Sequence, residues 1–370
     1  MPSIFRTVFL AAALLSAIQL HAQILIGQTA GYTGSVAAGV KETSEGALLY
    51  FNAVNASGGV HGQKIQLIPL DDKFDPKIAK ENAQLLITQK NVVAMFLTRG
   101  TPHTQAIIEV LDQHGVPLVA PSTGAMVMHK PVKKHVFNVR STYQLEAEEV
   151  VATLSSWDLK RIAVIQTDDS FGEDGAVGVQ KGLATFKLEA VANIKIDREK
   201  QDFSKMAAKV AATKAQAVIL IASGTNVVKA VAALRAAGSG SRIVTLSNNA
   251  SNGFIKSLGA QARGMIVMQV FPYERSSKYG FIKEAQDLAR AQGGLVVSPA
   301  VLEGFAAAKV MVEALRRAGA NPSRAKVQLA LENMKNYDLG GLTISYSPDD
   351  HTGLDFSELS IIDAELQFKR

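Results

Sequence analysis

Residues 24–70 read ILIGQTAGYTGSVAAGVKETSEGALLYFNAVNASGGVHGQKIQLIPL, and this stretch decides the fold. Positions 24–28 are a short run rich in isoleucine and leucine, as a buried strand requires. Positions 36–55 then carry Val40, Ala47, Tyr50, Phe51 and Val54 at helical spacing. Gly58 and Gly59 stop that helix, and 64–70 alternates like a second strand. Strand, helix and strand in this order make a βαβ unit, in which the two strands run parallel.

The alternation continues outward from this unit. Helices are predicted over 76–89, opened by Pro76, and over 102–114, with strands over 92–97, 116–120 and 136–139. Further on, 146–157, 173–186, 203–213 and 226–237 read as helices. Between them 161–166, 188–196, 217–221, 242–246 and 265–270 read as strands. Such a rhythm predicts parallel sheets with helices on both faces. The C-terminal part departs from it: helices over 279–292, 300–318 and 323–335 come in succession, then strands over 342–346 and 358–368. A chain that adds helices to one α/β unit and strands to another must cross between them more than once. The predicted fold class is α/β, with two intertwined, doubly wound lobes.

Composition narrows the function. Of 370 residues, 47% are hydrophobic and 19% charged, enough apolar material for two sizeable cores. The net charge of +6 is spread along the chain. Its densest basic cluster is Lys130, Lys133 and Lys134, broken by Pro131, which reads as a solvated turn, so no nucleic-acid partner is expected. The absence of cysteine excludes thiol catalysis, cysteine-ligated metals and disulfides. At the N-terminus Arg6 precedes an apolar run over 8–18, and Ala22 closes the segment. This is the pattern of a secretory signal peptide over 1–22, with an h-region shorter than the roughly 20 residues that span a membrane.

Enzyme signatures are missing: the sequence contains no G-x-x-x-x-G-K-[ST], G-x-G-x-x-G or G-x-S-x-G. Residues 59–64 look faintly like a phosphate loop but lie between a helix and a strand, the reverse of the order a P-loop needs. No H-x-x-x-H pair offers metal-ligand spacing. Ser323 and Lys326 match S-x-x-K, yet Ser323 follows Asn321 and Pro322 where a helix starts and reads as its N-cap. Asp168 and Asp169 are adjacent in a strand-to-helix loop, where capping is expected. No catalytic activity, cofactor or metal is expected.

Open α/β sheets bind ligands beyond the carboxyl ends of their strands. Those ends read QTAGYTG over 28–34, TRGTP over 98–102, APSTGA over 120–125, QTDDSFG over 166–172, ASGTN over 222–226 and SNNASN over 247–252. Short hydroxyl groups and approachable backbone N–H groups at helix starts suit a carboxylate held without a catalytic base. Tyr32, Gly100, Thr101 and Ser223 are candidate binding residues from these segments. Arg99 joins them, because alternation places it on the same face as Thr101.

The leader, residues 24–40, NAVNASGGVHGQKIQLIPLDD over 52–72, GVPLVAPST over 115–123 and RIAVIQTDDSFGEDG over 161–175 together resemble type I periplasmic binding proteins. Within them the resemblance is to the leucine/isoleucine/valine-binding type that feeds hydrophobic amino-acid ABC transporters. It implies a two-lobed clamp with a three-strand hinge, lobe one over 24–140 and 272–341 and lobe two over 141–271 and 342–370. It implies a ligand between the lobes, with the closed form docking as a monomer onto a membrane permease. By the same resemblance Thr101 holds the ligand carboxylate, Ser122 and Thr123 supply main-chain donors, and Phe171 covers the ligand from lobe two. Gly124 stands where amino-acid binders usually have a further Thr, and Asn248 where they often carry the acid that meets an α-ammonium. The expected function is periplasmic binding of a small carboxylate-bearing solute for an ABC transporter, the solute being a hydrophobic or branched-chain amino acid. The alternatives are an amine-free aromatic or short aliphatic acid, or a periplasmic sensor role.

Overall fold

The structure, a computed structural model, describes residues 23–370. The expected leader over 1–22 lies outside the described residues. Lobe one is built on β1 (Ile24–Ala30), β2 (Ile65–Asp71), β3 (Ala94–Phe96), β4 (Leu118–Val119) and β5 (Val136–Phe137), in the order β2-β1-β3-β4-β5. Every pairing in this sheet is parallel. Apart from the edge strand β2, its strands are buried on both faces, so both need a helical cover. Ile24, Ile26, Phe96 and Val119 face one core, and Met95, Leu118 and Val136 face the other. The second of these cores is closed by α2 (Pro76–Thr88) and α3 (Thr101–His114), through Ala83, Leu86, Ile107 and Leu111. The first is closed in part by α1 (Ala37–Ala56), whose Ala47, Phe51 and Val54 fall at the predicted helical spacing.

The chain then builds lobe two: β6 (Ile162–Thr167), β7 (Ala192–Ile196), β8 (Ala217–Ile221), β9 (Arg242–Thr245) and β10 (Ile266–Gln269). One face is covered by α4 (Tyr143–Ser156) and α5 (Ser170–Thr185). The other is covered by α6 (Phe203–Ala212), α7 (Thr225–Ala236) and α8 (Asn252–Leu258). Next, α9 (Gly280–Ala291), α10 (Pro299–Ala318) and α11 (Arg324–Glu332) return to lobe one, where Phe281, Phe305 and Leu331 join the core that α1 covers. Ser323 caps α11 as expected, its Oγ accepting from Lys326 N at 3.3 Å.

Two features of the C-terminal part differ from the sequence reading. Residues 342–354 were expected in lobe two. Leu342, Ile344, Tyr346 and Leu354 are instead buried in the lobe-one core, behind the hairpin of β11 (Tyr337–Asp338) and β12 (Thr343–Ile344). The last crossing to lobe two therefore falls between Leu354 and β13 (Glu358–Ile362). The run over 358–368 is also two strands: Asp363 and Gln367 bond each other across a turn, and β14 (Phe368–Lys369) folds back on β13. Lobe two thus has the order β14-β13-β10-β9-β8-β6-β7, with β13 antiparallel to both neighbours. The first and last crossings are tied together, Leu354 N donating to Val139 O at 2.8 Å and Tyr346 Oη to Asn138 O at 2.6 Å.

Candidate functional site

The carboxyl ends of the strands of both lobes face each other across a crevice. On the lobe-one side, Gly100 adopts φ 95°, which lets the chain turn from β3 into α3 without a side-chain cap. Thr101 and Thr123 are buried and their hydroxyls meet at 2.7 Å. Arg99 is 6% exposed, and its Nη1 donates to Ser122 Oγ at 2.8 Å. The Ser122 hydroxyl in turn donates to Glu303 Oε1 of α10 at 2.8 Å. The network reaches lobe two directly, because Arg99 Nη2 donates to the Asn248 carbonyl.

On the lobe-two side, Asn248 donates its side-chain amide to Ala222 O at 3.1 Å and to Ser223 Oγ at 3.0 Å. Ser247 is held by Glu146, which accepts from its backbone N–H at 2.8 Å and its hydroxyl at 2.9 Å. Arg140, at the first crossing, donates to Ser247 Oγ at 2.6 Å and pairs with Glu146. Burial pushes the Glu146 carboxyl above its ordinary range, and Arg140 together with the Ser247 bonds pulls it back. Removing either member of such a buried pair strands the other charge, so the pair fixes the crossing against the crevice floor.

The lobes are closed on one another. Thr225 N donates to Ser35 O at 3.2 Å, and Ser170 Oγ to Gln105 Oε1 at 2.5 Å. Glu42 of α1 accepts from the backbone of Asn252 and Gly253 at the start of α8. Arg198 lies 5.0 Å over the Phe74 ring, which stacks on His103 at 4.1 Å. Burial pushes His103 down to about 4, leaving it neutral in this stack at neutral pH.

Between the lobes remains a cavity of about 270 Å³, lined by residues 34–39, Arg99, Gly224, Thr225, Asn248, Asn249, Ser251, Phe254 and Ser257. Of the candidate residues, Arg99 and Asn248 line this cavity, while Ser122 and Ser223 are each one hydrogen bond behind it. Thr101, Thr123 and Gly100 lie outside its lining, as does Tyr32, whose hydroxyl holds Gln28 and Ser44. Phe171 is 3% exposed and packs edge-on against Tyr143 in the lobe-two core, with ring centres 4.9 Å apart. Asp168 is exposed and pairs with Lys195, whereas Asp169 caps α5 and pairs with Arg198. Sequence reasoning missed Glu303, Glu42 and the Arg140–Glu146 pair, which sit on helices or at the crossing rather than at strand ends. Glu303 left one signal, being a charged residue inside the otherwise apolar stretch PAVLEGFAAA.

Among the described residues no group of His, Cys, Asp or Glu could hold a metal ion, and no helix is long and apolar enough to cross a membrane. Two α/β lobes closed over a small polar crevice, with caps, hydroxyls and two buried guanidinium groups around it, define a clamp for a small solute. The chain belongs to the periplasmic binding protein family, whose model matches residues 23–355. Members of this family are solute-binding proteins, not enzymes. Relatives include an amino acid binding protein of Pseudomonas aeruginosa, 28% identical over 58% of this chain and 59% of that protein. Another is Leu/Ile/Val-binding protein homolog 3 of Brucella melitensis, 24% identical over 93% of this chain and 92% of its own length. The chain matches less than two thirds of the first of these and nearly all of the second. A substrate-binding periplasmic protein of Ralstonia solanacearum superposes with a TM-score of 0.87 at 29% identity, over 94% of this chain and 99% of that one. The expected type I fold and the likeness to the leucine/isoleucine/valine-binding type both hold.

Proposed function

We propose that the protein is the periplasmic solute-binding component of an ABC transporter, clamping a small carboxylate-bearing ligand between its lobes and delivering it to a membrane permease. One observation carries this reading: a buried guanidinium, Arg99, sits at the carboxyl end of β3 where both lobes meet. Its partners there are neutral oxygens, and an anion in the crevice completes its coordination. The start of α3 beside Thr101 offers a second set of donors for the same ligand. The relatives' names favour an amino acid as ligand. Asn248 favours an amine-free acid instead, because its amide carries no charge to offset a desolvated ammonium. The acids on the neighbouring loop face solvent or Arg198. An uncompensated ammonium is costly to bury, so the geometry supports the amine-free acid.

A thermal-shift screen of L-leucine and L-valine against their 2-keto acids and aromatic acids tests both levels. Ligand at 100 times its dissociation constant adds about 2.7 kcal/mol of stability, readily seen as a raised midpoint. The acids are expected to shift the midpoint and to outcompete the amino acids more than tenfold. Tight, stereospecific binding of L-leucine overturns the amine-free reading, and no shift with any carboxylate overturns the clamp for carboxylates.

A further inference from the structure

Resting on the reading of the crevice as a carboxylate site, we infer that the cavity beside Arg99 is a second anion subsite, and that the ligand is a short dicarboxylate rather than a monocarboxylate. The cavity lies on the α1–α7–α8 side of Arg99, and Thr101 and Thr123 do not line it. A single carboxylate therefore reaches either the start of α3 or the Arg99 side of the crevice, and two carboxylates reach both. Arg99 is the one charged residue in its lining. Both guanidinium nitrogens that have partners give their hydrogens to neutral oxygens, Ser122 Oγ and the Asn248 carbonyl. Among the described residues Arg99 takes part in no ion pair within 4.0 Å. Glu303 stands behind Ser122 and outside the lining. By taking the Ser122 proton it turns that oxygen's lone pair towards Arg99, which aims the guanidinium without neutralising it at the cavity.

The walls agree with the charge. Three helices begin at the cavity: α1 and α7 have neither a side-chain cap nor an acidic residue in the first turn, whereas α8 is capped by Ser251 and its first N–H groups are met by Glu42. Elsewhere Asp75, Thr142, Asp169, Asp202, Ser298 and Ser323 cap α2, α4, α5, α6, α10 and α11, while α3 and α9 also start without a side-chain cap. Uncapped helix starts add partial positive charge to that of Arg99, and no carboxylate in the lining opposes it. The volume of about 270 Å³ equals roughly nine waters at about 30 Å³ each, room for a second carboxylate and the few carbons leading to it.

The test is isothermal titration of the exported chain with dicarboxylates of three to six carbons and with monocarboxylates of equal length. The best dicarboxylate is expected to bind at least tenfold more tightly than its monocarboxylate partner. In Arg99→Gln both acids weaken but the dicarboxylate weakens more, so that the preference disappears, and in Arg99→Lys part of it returns. Circular dichroism checks the fold, and Arg99→Lys keeps the test decisive if the glutamine variant misfolds. Equal wild-type affinity for the two acids overturns the subsite, as does a preference that survives in Arg99→Gln. If monocarboxylates bind and the second carboxylate adds nothing, the subsite alone fails. If no carboxylate of either kind binds, the underlying reading of the crevice fails with it.

Discussion

Glu42 gives the sharpest test of how this clamp holds itself shut. It lies on α1 in lobe one, and its carboxylate accepts from Asn252 N at 3.0 Å and Gly253 N at 2.6 Å, the first backbone donors of α8 in lobe two. Ser298 of lobe one donates to it at 2.5 Å and so fixes its rotamer. When the lobes part, these groups return to water, so the two cross-lobe bonds stabilise the closed form alone. Glu42→Gln keeps the shape but removes the charge and replaces one acceptor oxygen with an NH₂ that faces another donor. Losing one charge-assisted bond and leaving a donor unmet should cost about 2–3 kcal/mol, a factor of roughly 30 to 150 in the closed-to-open ratio. Ligand affinity should fall by the same factor wherever the open form dominates without ligand. Calorimetry with the tightest acid from the screen measures the first effect, and dipolar EPR between labels on the outer faces of the two lobes measures the second. The ligand-free melting midpoint should barely move. An unchanged dissociation constant together with an unchanged distance distribution would refute the latch.

Three further outcomes follow from the geometry. Gly224 adopts φ +52°, and a Cβ there would lie 1.8 Å from Ser35 O across the lobe boundary, so Gly224→Ala should hold the lobes apart and raise the radius of gyration measured with saturating ligand. Thr101→Val, nearly isosteric, should weaken the acid at least tenfold in calorimetry without altering the circular dichroism spectrum. Burial pushes Glu274 up to about 7, so the folded chain favours its protonated form. That contribution is present below the carboxyl's ordinary range and is lost as the pH rises through 7. Glu274→Gln should therefore leave the melting midpoint unchanged at pH 4 and stabilise the protein by ~2 kcal/mol at pH 8.

Much of the fold is legible because periodicity reports burial. The helix expected over 36–55 is Ala37–Ala56, and the strand expected over 217–221 is Ala217–Ile221. What periodicity does not report is which core buries a residue. Leu342, Ile344 and Tyr346 are apolar enough for either lobe, and only the packing behind β11 and β12 decides for lobe one. The same limit applies to the site. The rule that ligands lie beyond strand ends finds Arg99, Ser122 and Asn248, which are local to those ends. It cannot find Glu303 or Glu42, which come to the crevice from within helices and whose roles exist only once the lobes are assembled.

The two departures from the amino-acid-binding pattern then have different physical standing. A Cβ at Gly124 would lie 2.6 Å from Ser141 O and 2.8 Å from Tyr143 N, where the first crossing folds back on the strand-end loop. A threonine cannot enter there unless the backbone at that crossing moves, so the missing hydroxyl is imposed by the path of this chain between its lobes and says little about the ligand. Asn248 is under no such constraint. It has a side chain of ordinary conformation, and a carboxylate at that position would need only to forgo the amide bonds to Ala222 O and Ser223 Oγ. Both of those partners are oxygens, and a carboxylate facing the Ala222 carbonyl would be repelled by it. The Ala222 carbonyl therefore favours a donor at residue 248, whereas the Ser223 hydroxyl could turn to donate to an acid there. The argument against an ammonium rests on this residue, and the argument for a second acidic group rests on Arg99 beside it. Both point to a crevice whose unmet demand is for negative charge.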